Sequence, residues 1–473
     1  MTAYEQTASW QATSGEYYDW TQTRLPERPY IHDYSRTLTT KLALSVPNPD
    51  GGSRVFNTFE QALGIIQETD RLTRGIPKIL YLVGWQYNGH DDKYPAMDEV
   101  NPALKRAEDA TARDSYLWLV REAKRWNTTV SVHANVTDAY DDSPLWDTYV
   151  RNELISRNED GALMQIGCYN DKAAYQICYK HEWELGFAVQ RMERLIDLLQ
   201  LEQVGTVHFD AYFPRANVYH NISQEEETSY MRRLIRYMRN RGIDVTSENF
   251  NHLRIDPLLG LQPWTWWFDQ NQEEHFVERP AALSCGAIIR DYSQSGIPLR
   301  HDLMFLFGAS MHGEDIYSNH SGEPSREKWH SDFLEQFCLT TLTYQFLNTH
   351  DRLRLEGKDE ERVMYYSNGL SVHLADRTVR QDGRILREGD DGCMPALWAK
   401  SPEMIAYSKS GYLSRHWTLP PEWDDVTEAD IYAIDAADNA LPLQRGVRID
   451  DRTIDLRLPP ASAVSIVPSA NTR

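Results

Sequence analysis

The stretch 58–250 alternates helix-like and strand-like segments, and this alternation constrains the fold more than any other feature of the chain. Apolar residues recur at helical spacing after the capping boxes Thr58–Gln61 and Ser223–Glu226, and again around Tyr116. Between the helices lie short apolar runs of strand length, PKILYLVGWQ, TTVSVHANV, GTVHFDAYF and IDVTSENF. Apolar strands that alternate with helices predict a parallel sheet covered by helices.

The predicted fold class is α/β, with a (β/α)8 TIM-type barrel over residues 58–358. A single hydrophobic core stops growing at roughly 250–300 residues, so a chain of 473 residues predicts one barrel-sized domain and a smaller one. A doubly wound open sheet is the alternative. It is the less favoured one, because no glycine-rich phosphate loop follows the early strands.

The pattern of apolar and polar residues changes near Met364. Short alternating runs such as MYYSNGLSVHLAD, ADIYAIDA and TIDLRLPP are separated by turn residues, which predicts an antiparallel β-sandwich over residues 359–473. Residues 1–57 carry aromatic residues and prolines without clear periodicity, and we expect this segment to pack on the barrel.

The charge of the chain excludes several kinds of partner. Seventy acidic and 49 basic residues give a formal charge of −21, which repels phosphate backbones and anionic membranes. We therefore expect neither a nucleic acid nor a membrane partner, and the sequence leaves the oligomeric state open. The first residues lack a basic start followed by an apolar run, so a cytoplasmic location is expected. The five cysteines show no CxxC spacing, which favours reduced thiols over a disulfide framework or a zinc site.

Polar side chains occupy one face of several predicted strands. In TVHFDAYF, alternation puts Val207, Phe209 and Ala211 on one side and the polar residues on the other. Burying an unpaired carboxylate costs several kcal/mol, so such faces predict a polar cleft at the strand ends. The residues on these polar faces are His133 and Asn135 in VSVHANV, His208, Asp210 and Tyr212 in TVHFDAYF, and Glu248 in IDVTSENF.

Asp210 and Glu248 end successive strands and lie 248 − 210 = 38 residues apart, the length of one loop and helix. Neighbouring strands are about 4.8 Å apart, so the two carboxyl groups could sit roughly 5 Å apart, the separation found in retaining glycosidases. A lone aspartate at a strand end is more often a helix cap or the partner of an arginine such as Arg215. The pairing of two carboxylates favours catalysis.

Other residues suit a sugar ligand. Indole rings stack on the apolar faces of pyranose rings, and the run LQPWTWWFDQ places Trp264, Trp266 and Trp267 close together, although burial in the core is the alternative. The loop GWQYNGHDD offers Asp91 and Asp92 as acceptors for vicinal hydroxyl groups, with a solvated turn as the alternative. Trp85 and His90 of the same loop complete the predicted sugar-binding set.

Four motifs, VGWQYNGHDD, VSVHANVTDAY, VHFDAYF and VTSENF, occur in an order that resembles the catalytic barrel of the endo-α-N-acetylgalactosaminidases of glycoside hydrolase family 101 and the related family 129. The resemblance covers residues 78–270. It implies α-retaining chemistry and a sugar-binding GHD loop. The roles it implies are a sugar ligand for Asp91, the nucleophile for Asp210, the acid/base for Glu248, and lining of the site for His133 and Asn135.

The sequence therefore predicts a retaining α-glycosidase that hydrolyses α-linked N-acetylgalactosaminides or closely related α-galactosides through a covalent intermediate. Two alternatives stay open. One is a catalytically inactive carbohydrate-binding barrel, and the other is a metal-dependent barrel hydrolase with the ligands His90, Asp91, His133 and His208. We expect no required cofactor. The acidic loop Asp138–Ser143 is a candidate for a structural calcium ion, with a solvated loop as the alternative.

Overall fold

The computed structural model of the protein describes residues 31–34, 36–247, 277, 301–308, 317, 326–437 and 441–469. The described strands form a five-stranded sheet, a twelve-stranded antiparallel sheet and two small sheets. The first ten of them are β1 (Leu38–Ala43), β2 (Ser45–Pro47), β3 (Ser53–Val55), β4 (Lys78–Val83), β5 (Thr128–Asn135), β6 (Asp138–Ala139), β7 (Gln165–Tyr169), β8 (Lys172–Gln176), β9 (Thr206–Asp210) and β10 (Asp244–Ser247).

The helices lie mainly between these strands and after them. In the described part they are α1 (Phe59–Leu72), α2 (Ala112–Ala123), α3 (Trp146–Arg151), α4 (Tyr179–Glu184), α5 (Phe187–Leu199), α6 (Leu201–Val204), α7 (Gln224–Asn240), α8 (His301–Phe307), α9 (Arg326–Gln336) and α10 (Leu342–Leu347), with a π-helical turn, Phe337–Thr341, between the last two. The capping boxes predicted at Thr58 and Ser223 are confirmed at the starts of α1 and α7. No helix in these ranges is long and apolar enough to cross a membrane.

The five-stranded sheet is parallel throughout, in the order β1-β4-β5-β9-β10. Every position of β1 and of β4 is buried. Such continuous burial is typical of a parallel sheet that is covered on both faces, whereas a half-exposed strand alternates. The predicted parallel α/β sheet is thus confirmed, and the carboxyl ends of its strands lie along one edge.

One part of the domain prediction is wrong. Residues 1–57 were expected only to pack on the barrel, but Leu38–Ala43 forms β1, which pairs in parallel with β4 from Leu38 opposite Lys78 to Ala43 opposite Val83. Its sequence LTTKLA carries no apolar alternation, because threonines and a lysine fill buried positions. A polar strand inside a sheet cannot be recognised from hydrophobic periodicity alone.

The last twelve strands form the antiparallel sheet, in the order β11-β12-β13-β14-β15-β16-β17-β22-β19-β20-β21-β18. They are β11 (Arg352–Glu356), β12 (Val363–Tyr366), β13 (Leu370–His373), β14 (Thr378–Gln381), β15 (Arg384–Glu388), β16 (Asp391–Pro395), β17 (Met404–Ser408), β18 (Tyr412–Thr418), β19 (Glu428–Ile434), β20 (Gln444–Asp450), β21 (Thr453–Leu458) and β22 (Ser462–Pro468). The large C-terminal antiparallel unit predicted from the sequence is therefore present.

Strand β17 shows how this sheet joins the rest of the molecule. Met404 and Ala406 belong to a cluster of buried residues enclosed by strands of the antiparallel sheet itself. Ile405 and Tyr407, which point the other way, belong to the large cluster that also contains the core of the parallel sheet and its helices. One hydrophobic core thus runs through both sheets, so the domain boundary at residues 358 and 359 stays a prediction.

A buried ion pair links α4 to α5. The guanidinium of Arg191 lies 2.7 Å from the carboxylate of Glu182, which also accepts a hydrogen bond of 2.5 Å from the hydroxyl of Tyr149. We expect Glu182→Ala to lower the free energy of unfolding by about 3 kcal/mol, because it leaves a buried guanidinium without its partner. Arg125→Ala, which breaks the exposed pair with Glu122, should cost less than about 1 kcal/mol. Urea titrations of both variants test this, and equal losses would contradict it.

Candidate active site

The candidate site lies at the carboxyl ends of β5 and β9. The register of these strands pairs His133 with His208 and Asn135 with Asp210. The rings of His133 and His208 have centroids 5.3 Å apart, and Nε2 of His133 lies 3.3 Å from Oδ2 of Asp210. The polar faces predicted for the two strands therefore meet.

Asp210 is the ionised group of the site. Its side chain is 17% exposed. Burial alone would raise its pKa, but the imidazole of His133 and the ammonium of Lys41 outweigh burial and hold the pKa well below its usual range. Lys41 is buried on β1, and the sequence did not single it out because it did not predict that strand. A carboxylate that stays charged while accessible is suited to nucleophilic attack.

His133 is enclosed by the other two histidines of the cluster. Its ring is packed between the rings of His90, 5.1 Å away, and His208, 5.3 Å away. Burial, helped by the charge of Lys41, lowers the pKa of His133 to about 4, so the imidazole is neutral at neutral pH. Nδ1 makes no hydrogen bond to any residue that the structure describes, whereas Nε2 faces the carboxylate of Asp210.

Asn135 ends β5 and shapes the turn that follows. Its Oδ1 accepts hydrogen bonds from the backbone N–H groups of Thr137, at 2.8 Å, and Asp138, at 2.9 Å. Its Nδ2 is buried and lies close enough to Asp138 to stabilise the carboxylate of that residue. The amide is therefore held between the turn and Asp138, beside Asp210.

The loop after β4 brings His90 and Asp91 to the site. It passes so close to β2 that a Cβ atom on Gly84 would lie 1.9 Å from the carbonyl oxygen of Ser45, and one on Gly89 2.7 Å from the same atom. The N–H of His90 donates to this carbonyl at 2.9 Å. Asp91 adopts a left-handed conformation with φ 55°, which few residues other than glycine adopt readily. The glycines thus allow the loop to reach the strand ends.

Ion pairs hold the loop that carries His90 and Asp91 in place. Asp92 is 1% exposed, and its Oδ2 accepts hydrogen bonds from the backbone and side-chain nitrogens of Asn88. The ammonium of Lys172 donates to Asp92 at 2.5 Å and to Asp142 at 2.7 Å. Asp142 also accepts from Lys93 at 2.8 Å. Lys172 therefore connects the loop to the neighbouring acidic segment.

Lys172 belongs to the hairpin of β7 and β8. The hairpin turns through Asn170 and Asp171, which both have positive φ, as a two-residue turn of type I′ requires. Nδ2 of Asn170 donates to the carbonyl oxygen of His90 at 3.0 Å. Tyr169, at the tip of β7, is 45% exposed. The tip of the hairpin thus lies against the loop that carries His90.

The sequence did not single out Asp138 as a site residue. It is 3% exposed, and burial followed by the charges of Asp91 and Asp210 raises its pKa well above the usual range. The hydroxyl of Tyr140 donates to it at 3.3 Å, and the ring of Tyr94 packs 6.3 Å from that of Tyr140. A raised pKa favours the protonated form of Asp138, in which the carboxyl group can donate a hydrogen bond. Its place just beyond a strand with a polar face was the available signal.

The acidic loop Asp138–Ser143 is only partly exposed. Asp138 and Ser143 are buried, so the alternative of a fully solvated loop is wrong. Asp142 accepts from two lysines, and Asp141 is exposed.

Three predicted sugar-binding residues lie deeper than expected. Trp85 is completely buried, and its indole N–H donates to the carbonyl oxygen of His133 at 2.9 Å, so it supports β5 and offers no stacking face. Nδ1 of His208 lies 2.9 Å from Oγ1 of Thr246, and the ring is buried beneath His133. Tyr212 is also buried, and its hydroxyl donates to the carbonyl oxygen of Met231 at 3.3 Å.

The prediction for Tyr212 fails because strand alternation stops before it. Strand β9 ends at Asp210, and Ala211 has φ 43°. This turn of the backbone packs the ring of Tyr212 against Phe209, with centroids 5.5 Å apart, on the apolar side of the strand.

Four predicted site residues, Glu248, Trp264, Trp266 and Trp267, lie outside the described residues. The last described pair of β10 and β9 is Ser247 with Phe209, and Glu248 is the next residue of the chain.

A possible cation-binding set also lies at the strand ends. His90, His133 and Asp210 each offer a ligand atom, and these atoms lie within 4.8 Å of one another. Of the four predicted metal ligands, His90 and His133 belong to this set, whereas Asp91 and His208 do not.

The size of a cavity does not identify the site. A cavity of about 970 Å³ lies at the antiparallel sheet, and Arg384, Lys400 and Arg452 contribute to its lining. None of the predicted site residues within the described ranges lines it. We assign the site from the convergence of charged and polar groups at the strand ends, which is where enzymes built on parallel sheets bind their ligands.

A carboxylate at the carboxyl end of a parallel strand, with further acids and amides around it, is an arrangement typical of glycoside hydrolases. The sequence profile of the family described as endo-α-N-acetylgalactosaminidase matches residues 39–276. This is half of the 473-residue chain, and the chain belongs to that glycoside hydrolase family. No curated protein matches the chain.

Solved structures with a similar fold include α-N-acetylgalactosaminidase NagBb from Bifidobacterium bifidum. Its ligand-free form has a TM-score of 0.55 and 12% sequence identity, and the match covers 80% of this chain and 63% of that one. Its GalNAc complex has a TM-score of 0.53 and 11% identity, with coverage of 80% and 62%. The chain thus matches less than two thirds of the length of these structures, and at this identity the likeness shows a shared fold.

Proposed function

We propose that the protein is a retaining α-glycosidase that hydrolyses α-linked N-acetylgalactosaminides or closely related α-galactosides. The observation that carries the proposal is the ionised Asp210 at the end of β9, beside His133 and Asn135 in a buried polar cleft. Family membership supports a glycoside substrate. The similar B. bifidum structures, one described as a GalNAc complex, support this choice of sugar.

In the first step, Asp210 attacks the anomeric carbon and forms a covalent glycosyl ester while the glycosidic bond breaks. Glu248 gives its proton to the leaving oxygen. In the second step, Glu248 takes a proton from water, the water oxygen attacks the anomeric carbon, and Asp210 is released. Support comes from the register of β9 and β10, which reaches Ser247 opposite Phe209, one residue before each carboxylate.

The residues around Asp210 are assigned to holding the sugar. Asp91 can accept hydrogen bonds from sugar hydroxyl groups, as the resemblance to the family also implies. Asn135 carries an amide at the end of β5, and burial raises the pKa of Asp138, which favours the protonated carboxyl group as a hydrogen-bond donor. A sugar carries both donors and acceptors, so this mixture of groups matches its chemistry better than a purely anionic site would.

The proposal includes closure of the parallel sheet into a (β/α)8 barrel. The five described strands are all parallel, and the site residues gather at their carboxyl ends, where barrel enzymes place their active sites. The proposed chemistry needs two carboxylates and water, so we further propose that no cofactor is required. A calcium ion near Asp138–Ser143 would serve structure only.

The experiment is a screen of aryl α- and β-glycosides, with the first-formed product anomer followed by NMR. We expect hydrolysis of the α-N-acetylgalactosaminide with initial release of the α-anomer, because two inversions preserve configuration. Initial release of the β-anomer would refute retention. Tight binding of N-acetylgalactosamine without turnover of any substrate would favour the catalytically inactive sugar-binding protein.

The metal-dependent hydrolase remains the second candidate, because His90, His133 and Asp210 lie close enough to share a cation. Two imidazoles and a carboxylate are a common ligand set of catalytic zinc. This candidate predicts that exhaustive chelation abolishes activity and that zinc restores it. Full activity after chelation would eliminate it.

Lys172 is expected to position Asp91. In Lys172→Met, Asp92 and Asp142 lose the cation between them, so the loop that carries Asp91 shifts and KM rises about 10-fold, with a smaller change in kcat. Lys93→Met is the matched control, because Lys93 contacts Asp142 and has a similarly exposed side chain. Steady-state kinetics should show a larger effect at Lys172 and partial recovery in Lys172→Arg. Equal effects of the two methionine variants would contradict this role.

A further inference from the structure

The spacing of His133 and Asp210 suits two ligands of one metal ion. Nε2 of His133 and Oδ2 of Asp210 are 3.3 Å apart. Zinc binds nitrogen and oxygen ligands at about 2.0–2.2 Å in a tetrahedron, so neighbouring ligand atoms stand roughly 3.4 Å apart. His90 supplies a third ligand atom within 4.8 Å of the other two. A shift of this ring by roughly 1 Å would complete three corners of the tetrahedron.

Buried histidine nitrogens without a hydrogen-bond partner also favour a metal ion at this place. Nδ1 of His133, a residue 1% exposed, and Nδ1 of His90 are buried without a hydrogen-bond partner in the described part of the chain, and Nε2 of His133 faces the carboxylate of Asp210 at 3.3 Å. A buried polar atom left unpaired costs free energy, and coordination of a cation would satisfy one nitrogen on each ring. The glycosidase mechanism proposed above gives these nitrogens no partner of their own.

We propose that zinc, or a divalent cation of similar ligand preference, binds His90, His133 and Asp210 and inhibits the enzyme by occupying its nucleophile. Magnesium and calcium prefer oxygen ligands, so they do not fit a set with two imidazoles. Inhibition rests on the proposed role of Asp210, whereas binding rests on the geometry alone. The charge of nearby Lys41 opposes a cation, so we expect affinity in the micromolar range, well below that of closed structural zinc sites.

The experiment titrates zinc chloride into the metal-free full-length protein in competition with a chromogenic zinc indicator. We expect one zinc per chain, with affinity lowered about 100-fold in His90→Asn and in Asp210→Asn. His220→Asn is the control. His220 lies in a partly exposed cluster with His181 and Glu153, apart from the site, and this variant should keep wild-type zinc affinity and activity.

The activity arm uses the aryl α-N-acetylgalactosaminide. Zinc should inhibit reversibly, chelator should restore full activity, and N-acetylgalactosamine should weaken zinc binding by competition. Wild-type zinc affinity in both His90→Asn and Asp210→Asn would overturn the site, and full activity of the zinc-saturated enzyme would overturn the inhibition. If the protein cleaves no glycoside, the proposed function fails, but the indicator titration still decides whether the metal site exists.

Discussion

Asp210→Asn is expected to abolish turnover of every glycoside that the protein cleaves, with kcat lowered about 10⁴-fold or more. The amide cannot form the glycosyl ester, so activated and unactivated substrates should lose activity alike. The substitution also removes the negative charge that His133 and Lys41 stabilise on Asp210. Stopped assays with an aryl glycoside and with a natural-type disaccharide measure the effect.

Asp141→Asn is the matched control, because Asp141 is exposed and lies outside the site. It carries the same chemical change and should leave kcat and KM unchanged. Azide added to Asp210→Gly should restore part of the turnover and yield a glycosyl azide of inverted configuration, since azide takes the place of the missing carboxylate. Substantial activity of Asp210→Asn without azide would exclude Asp210 as the nucleophile.

Glu248→Gln should separate substrates by their leaving groups. A general acid contributes about 10²- to 10⁴-fold, so hydrolysis of substrates with poor leaving groups should fall by about 10³-fold. Substrates with activated aryl leaving groups need no proton and should keep their rate of glycosylation. A burst of aryl alcohol should then appear, because the second step has lost its general base.

Glu225→Gln, an exposed change in the first turn of α7, is the control and should behave as the wild type. Azide should relieve the slow second step of Glu248→Gln with activated substrates. Equal losses on activated and unactivated substrates would contradict the acid/base role and would direct attention to another acid of the cleft, Asp138 in particular.

Much of the parallel sheet could be predicted because its strands carry strong local signals. The runs around Lys78–Val83, Thr128–Asn135 and Thr206–Asp210 combine apolar, β-branched residues with strand length. Strand β1 gave no such signal. Its polar residues are buried through tertiary contacts, for example Oγ1 of Thr40, which lies 3.0 Å from the hydroxyl of Tyr317, and no local pattern contains that information.

In the candidate site, too, local patterns predicted some residues correctly and missed those whose position depends on tertiary contacts. Alternation within β5 and β9 correctly brought His133 beside Asp210, since adjacent parallel strands keep their faces in register. It failed at Tyr212, one residue beyond the backbone turn at Ala211. Trp85 was predicted from its place in the loop after β4, and its burial comes with a long-range hydrogen bond to β5 that no local pattern reveals. Asp138 was missed because its altered ionisation arises from burial among other acids, which only the folded arrangement reveals.

The continuity of the core through β17 bears on how such a protein can evolve. Ile405 and Tyr407 present to the helices a surface as apolar as the one that Met404 and Ala406 present to their own sheet. Trp398 and Glu403 add polar contacts to Arg74, just after α1. Recombination that exchanged the C-terminal half for that of a distant relative would have to replace both matching surfaces at once, so the two halves are expected to be inherited together.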